Sequence, residues 1–115
     1  MKTIKNIKKG DVIYRIVRND DDILDVNREL VQDVVTHRSS ITIKTETFSG
    51  SNIVVSHEYL VDEHYYNEGS IVVDKFNPGI RIELRLDKDD VQHIVYECAA
   101  RSAERYRKMR VTLSL

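Results

Sequence analysis

From Ile80 to Leu86 every second residue is apolar and every intervening one is charged, the period of a β-strand with one dry and one wet face. Asn77-Pro78-Gly79 ahead of it reads as a turn, with Pro setting φ and Gly accepting a positive value. Ile71-Val72-Val73, before that turn, is a short buried strand, and Val12 to Val17 is another, entered from Lys9-Gly10-Asp11. Ile41 to Thr47 alternates again, and Ser49-Gly50-Ser51-Asn52 then turns the chain into Ile53-Val54-Val55, so these two segments form a hairpin. Residues 23 to 36 fit two periods. On a helical wheel Ile23, Leu24, Val26, Leu30, Val31, Val34 and Val35 fall within about half the circle, and Asp22 with Asp25 resembles a capping box. The same stretch also serves as a strand from about Leu30 to Thr36, pairing with 41–47 across His37-Arg38-Ser39-Ser40. The strand is preferred, because Asn27 interrupts the apolar helical face and four of the seven apolar residues are Val.

The tail changes period. Asp87 or Asp89 is placed to cap a helix expected over residues 88–109, with negative charge in its first turn as the helix dipole prefers. Val91, Ile94, Val95, Cys98, Ser102, Tyr106 and Met109 recur at three- and four-residue steps, a stripe that should lie on the sheet. Composition agrees with this division. Ile and Val total 26 against 7 Leu, which favours a pleated surface, and the three alanines (Ala99, Ala100 and Ala103) all stand in the tail. No internal repeat, low-complexity tract or linker interrupts the chain, so residues 1–115 are expected to form one domain, with a β-rich body over about 8–86.

Charge and composition narrow the classes. Leu, Ile, Val and Phe make up 35 of the 115 residues, well above the roughly 20% below which chains tend to stay disordered. A net charge of -1 excludes a polybasic coat protein and a wholly acidic mimic of nucleic acid. No apolar run approaches the ~18 residues that span a bilayer, and the opening MKTIKNIKKGD lacks a signal-peptide core. No membrane partner is therefore expected, and the cytoplasm is the expected location. A single cysteine, Cys98, excludes an internal disulfide framework and a cysteine-only zinc site.

At Lys8-Lys9-Gly10-Asp11-Val12-Ile13-Tyr14 the chain resembles the first strand of small SH3-like barrels, the group that includes KOW-type modules. The order of strands near 30–36, 41–47 and 52–56, separated by short polar turns, is similar too. The whole resembles small accessory proteins of bacteriophages and bacteria in which such a barrel is followed by one helix; for a phage protein the location would be the host cytoplasm. The resemblance covers residues 8 to 60, lacks the later glycines of a KOW loop, and places Asp20-Asp21-Asp22 where such modules often carry basic residues. It brings no catalytic residue with it. The fold expected is α+β: a small curved antiparallel sheet, or SH3-like barrel of about five strands, with one C-terminal helix packed on it.

Four sets of residues could carry chemistry. Residues 101–110 hold Arg101, Arg105, Arg107, Lys108 and Arg110 against Glu104 alone, and Arg101, Arg105 and Lys108 form one helical stripe able to follow a phosphate backbone. The competing reading is a solvated helix end whose late charges answer the dipole. Between Ser56 and Tyr66, His57, Glu58, Glu63 and His64 offer metal ligands or an acid/base pair, but their spacing does not converge on one ion as strand or helix. A turn or helical turn whose Tyr59, Leu60 and Tyr65 cap the barrel fits better, and no metal site is assigned. Asp74 with Glu83-Leu84-Arg85 loosely imitates a nuclease core, against the plainer reading of an exposed strand face. Cys98, His37 and His93 have no activating neighbour in sequence, and four scattered glycines make no phosphate loop.

With no convergent catalytic set, no cofactor is expected, and the reading favoured is a non-enzymatic binding module that contacts another protein. The alternative is a nucleic-acid-binding accessory protein using Arg101, Arg105 and Lys108. Self-association through an edge strand or the alternating tail Val111 to Leu115 is a further expectation.

Overall fold

The structure is a computed structural model that describes residues 2–19, 22–48, 54–77 and 79–101, without the side chains of residues 48, 74–77 and 99–101. Strands β1 (Val12–Asn19), β2 (Asp22–Thr36), β3 (Ser40–Phe48), β4 (Val54–Asp62), β5 (Ser70–Asn77) and β6 (Ile80–Arg85) precede one helix, α1 (Lys88–Arg101). They form one antiparallel sheet in the order β4-β3-β2-β1-β6-β5. The architecture is the expected α+β one, with six strands rather than about five.

The sheet curls into a half-barrel, and the core shows why. Ile41, Ile43, Tyr59 and Val61 from β3 and β4 share one buried cluster with Ile71 of β5 and Leu84 of β6. These residues come from opposite ends of the strand order, so only a curled sheet brings them together. Ile13 of β1 belongs to that concave core, whereas Tyr14 and Ile16 point the other way and pack under Val91, Val95 and Cys98 of α1. The helix therefore covers part of the convex face. Asp87 begins it as expected, its Oδ1 accepting the Asp89 N–H at 2.9 Å. The expected helical residues 102–109 lie outside the described residues.

The double period over 23–36 has a structural cause. All of it is strand, beginning well before Leu30 and with no helix. Its first half buries Ile23 and Val26 on the convex side under α1, and its second half buries Glu29 and Val31 on the concave side. Irregular register opposite Val17/Arg18 and at Val31/Asp33 adds a residue at each place. Bulges and a change of buried face turn a period of two into steps of three, which imitate a helix in sequence.

Two other expectations are corrected. β4 continues to Asp62, so the segment read as a turn or helical turn is mostly strand, and only Glu63–Tyr65 makes a 3-10 turn. Tyr59 and Val61 point inward while Leu60, 70% exposed, points out. The charged side of Ile80–Leu86 is also not a wet face: Glu83 is 5% exposed because it lies opposite Ile16, on the side where α1 packs.

At one end the half-barrel is closed by the link between β4 and β5. Ile4, fully buried, donates its N–H to the Glu68 carbonyl at 3.0 Å, and Lys5 does the same to Tyr66 at 2.9 Å. Lys8 to Asp11 then turn the chain into β1. The Lys8 N–H donates to Asp11 Oδ2, and Gly10 sits at φ 95°, a left-handed value that suits glycine.

Candidate functional site

A carboxylate stands in the apolar concave core. Glu29 of β2, opposite Ile13 in register, is 0% exposed. An ionised carboxylate there is costly unless its oxygens find donors. β3 and β4 supply them because their registers align. Thr45 lies opposite His57, and Tyr59 follows two residues on along the same face. Thr45 Oγ1 donates to Glu29 Oε1 at 2.8 Å, and the Tyr59 hydroxyl donates to the same oxygen at 2.7 Å. His57 brings Nδ1 to 3.2 Å from Glu29 Oε2, within ion-pair distance. That pair is not aligned as a hydrogen bond, and neither atom has a hydrogen-bond partner among the described residues. The His57 ring stacks on Tyr59 with centroids 5.9 Å apart and planes 11° from parallel.

The Tyr59 phenol is held far above its ordinary range. Burial is the largest cause, and the hydrogen bond to Glu29 and the Glu29 charge add to it; the nearby Arg15 charge and Thr45 only partly offset them. Tyr59 is therefore a fixed donor. Tyr59→Phe is expected to cost about 1 kcal/mol, since Thr45 still serves Oε1 but one charge-assisted bond is gone. Because its folded-state value is raised, Tyr59 stabilises the fold fully below its ordinary value of 10.0, and this support falls away as pH climbs beyond it. Spectrophotometric titration should show the Tyr59 phenolate absorbance arriving only with unfolding; early ionisation that vanishes in Tyr59→Phe would contradict the assignment.

Above this network the half-barrel is open. A cleft of about 410 Å³ lies between the edges of β4 and β5, bordered by Arg15, His57, Glu58, Tyr59, Leu60, Val73 and Ile82. Arg15, on the inner face of β1, is half-buried and has no ion-pair partner among the described residues. Chemically the arrangement offers a guanidinium at an open cleft, with one carboxylate (Glu58) on its outer rim and another (Glu29) sealed beneath it.

A second polar cluster lies under α1. Glu83 accepts from Arg81 Nε at 2.6 Å and from Arg85 Nε at 3.2 Å, with Arg18 Nη1 3.7 Å away. Arg85 also reaches Asp90 of α1 at 2.6 Å. These contacts bind the sheet to the helix.

The residues singled out from sequence are dispersed. His57 points inward, Glu58 lies on the outer side opposite Lys44, and Glu63 and His64 sit in the 3-10 turn. Among the described residues no three His, Cys, Asp or Glu side chains are grouped to hold a metal ion. His37 pairs with Thr42, His93 lies 3.1 Å from Glu97, and Cys98 is buried against the sheet. Arg101 ends α1 with its side chain undescribed, and Arg105 and Lys108 lie outside the described residues. No described helix is long and apolar enough to cross a membrane.

Glu29, Thr45 and Arg15 were not anticipated. The available signal was a charged residue at an inward position of a strand, two residues before Val31, but it shows only once the face of β2 is known. Comparison with family models, with curated proteins and with solved structures finds no match for this chain.

Proposed function

We propose that this chain is a non-enzymatic binding module that takes an extended segment of a partner protein, by strand addition, between β4 and β5. The observation that carries this reading is the open half-barrel. Its two outermost strands have no further strand partner among the described residues and face each other across a lined cleft. Unpaired edges attract other strands, and proteins usually blunt them with charge, bulges or a covering element. β4 carries the exposed charges Glu58 and Asp62 and β5 is irregular at Val72/Asp74 and Lys75/Asn77, yet β4 also exposes Val54, Val55 and Leu60, and β5 exposes Val72. Main-chain hydrogen bonds would give such a complex its affinity, and the alternate inward side chains its selectivity. The curled sheet and the Lys8–Asp11 turn into β1 support the SH3-like reading, and with it a role as a phage or bacterial accessory protein.

The test is fluorescence polarisation with a pool of labelled eight-residue peptides randomised among Val, Ile and Thr, followed by hydrogen exchange. Saturable binding is expected, with new protection in β4 and β5 amides and a loss of about tenfold in affinity, or about 1.4 kcal/mol, in Val55→Lys. No binding, or protection confined to α1, overturns the reading. Tight, steeply salt-dependent binding of labelled DNA or RNA that Arg101→Glu, Arg105→Glu and Lys108→Glu remove would replace it with the nucleic-acid alternative.

A further inference from the structure

We infer that the cleft recognises the C-terminal carboxylate of the partner segment, with the Arg15 guanidinium as its receptor. This rests on the strand-addition reading. The first part of the argument is access. At one end of the gap, residues 63–69 join β4 to β5, and the N-terminal segment is hydrogen-bonded across that link through Ile4 and Lys5. The space there is filled by Ile4, Val61 and Ile71 of the concave core. At the other end β4 begins and β5 ends, and the two strands have no connection to each other there. A segment lying between the edges thus enters end-on, with a chain terminus leading.

The second part is charge. The leading terminus stops where the packed core begins, and Arg15, in register with Leu84 and through it with Ile71, borders the cleft on that side. Arg15 is half-buried and has no ion-pair partner among the described residues, a state in which an incoming anion is favoured. Glu29, which would oppose an anion, is 0% exposed and held from below by Thr45, Tyr59 and His57. Glu58 also borders the cleft, but it sits on the outer side of β4, opposite Lys44. A leading ammonium group would meet Arg15 with like charge, and a leading carboxylate pairs with it. Entry by the C-terminus sets the direction as well: the segment runs parallel to β4 and antiparallel to β5. From Val54 to the level of Tyr59 the cleft accepts about six residues in extended form.

Two peptide pools decide the matter, both labelled at the N-terminus and randomised among Val, Ile and Thr, one ending in a free carboxylate and the other in an amide. The carboxylate pool is expected to bind at least tenfold tighter. Arg15→Gln should bring the two pools together without lowering the melting temperature, and Arg15→Lys should keep part of the difference. Equal affinity of both pools for the wild-type protein, with β4 and β5 still protected, overturns carboxylate recognition while strand addition stands. Failure of both pools to bind overturns both. A pool difference that survives in Arg15→Gln removes Arg15 from the role.

Discussion

Glu29→Ala is expected to destabilise the fold by about 3 kcal/mol, a large share of the roughly 5–15 kcal/mol that holds a domain of this size together. The loss has three sources. Thr45 and Tyr59, both buried, lose the oxygen to which they donate at 2.8 and 2.7 Å. The His57 imidazole loses the carboxylate oxygen that stands 3.2 Å from its Nδ1. The truncation also leaves a void beside Ile13 and Val31 in the concave core. Glu29→Gln keeps an acceptor for both hydroxyls and should cost only about 1 kcal/mol. Buried polar groups are expensive mainly when one partner is removed alone. The combination of Glu29→Leu, Thr45→Val and Tyr59→Phe should therefore recover much of the stability that Glu29→Ala loses. Urea unfolding followed by circular dichroism measures all three variants. A midpoint for Glu29→Ala within error of the wild-type value would show that the network contributes nothing to the fold.

How far the sequence announces this arrangement depends on whether each strand keeps one buried face. Ile41 to Thr47 and Ile80 to Leu86 keep their apolar residues on one face, and their alternation places them as β3 and β6. β2 does not: its burial passes from the α1 side at Ile23 and Val26 to the concave side at Glu29 and Val31, and the bulges disguise the change. The later part of β4, beyond Val55, was concealed for another reason. Its inward positions are His57, Tyr59 and Val61, and two polar side chains in three look like a turn unless the carboxylate they serve is known. That carboxylate lies 28 to 30 residues earlier in the chain, and only strand register joins them. The site is thus non-local in origin, whereas the elements that frame it are local. Arg81, Glu83 and Arg85 make the same point from the opposite side. Their alternation gave the strand correctly but not the burial of Glu83, because α1 and Ile16 decide which face is covered.

Acid is expected to loosen the chain through Glu83. Burial works to raise the pKa of this carboxyl, but the Arg81 hydrogen bond and the charges of Arg85, Arg18 and Arg81 together outweigh it and hold the value below the ordinary 4.5. A carboxyl depressed in the folded state stabilises that state fully above its unfolded value. The contribution is lost as pH falls from about 4.5 through the folded value. The arginines are 13% to 34% exposed at their side chains, so solvent screens part of the attraction, and Glu83→Ala should cost about 2 kcal/mol at neutral pH. Glu83→Gln should lose less at neutral pH and flatten the slope of stability against pH between 5 and 3. An unchanged slope would assign the acid sensitivity to other carboxylates. The cluster also determines which part of the molecule opens first. Arg85 joins Glu83 on the sheet to Asp90 on α1, so protonating Glu83 weakens the sheet's hold on the guanidinium that anchors the helix. Hydrogen exchange at pH 4 should accordingly rise in α1 before it rises in β3, whose carboxylate-bound Thr45 belongs to the separate network around Glu29.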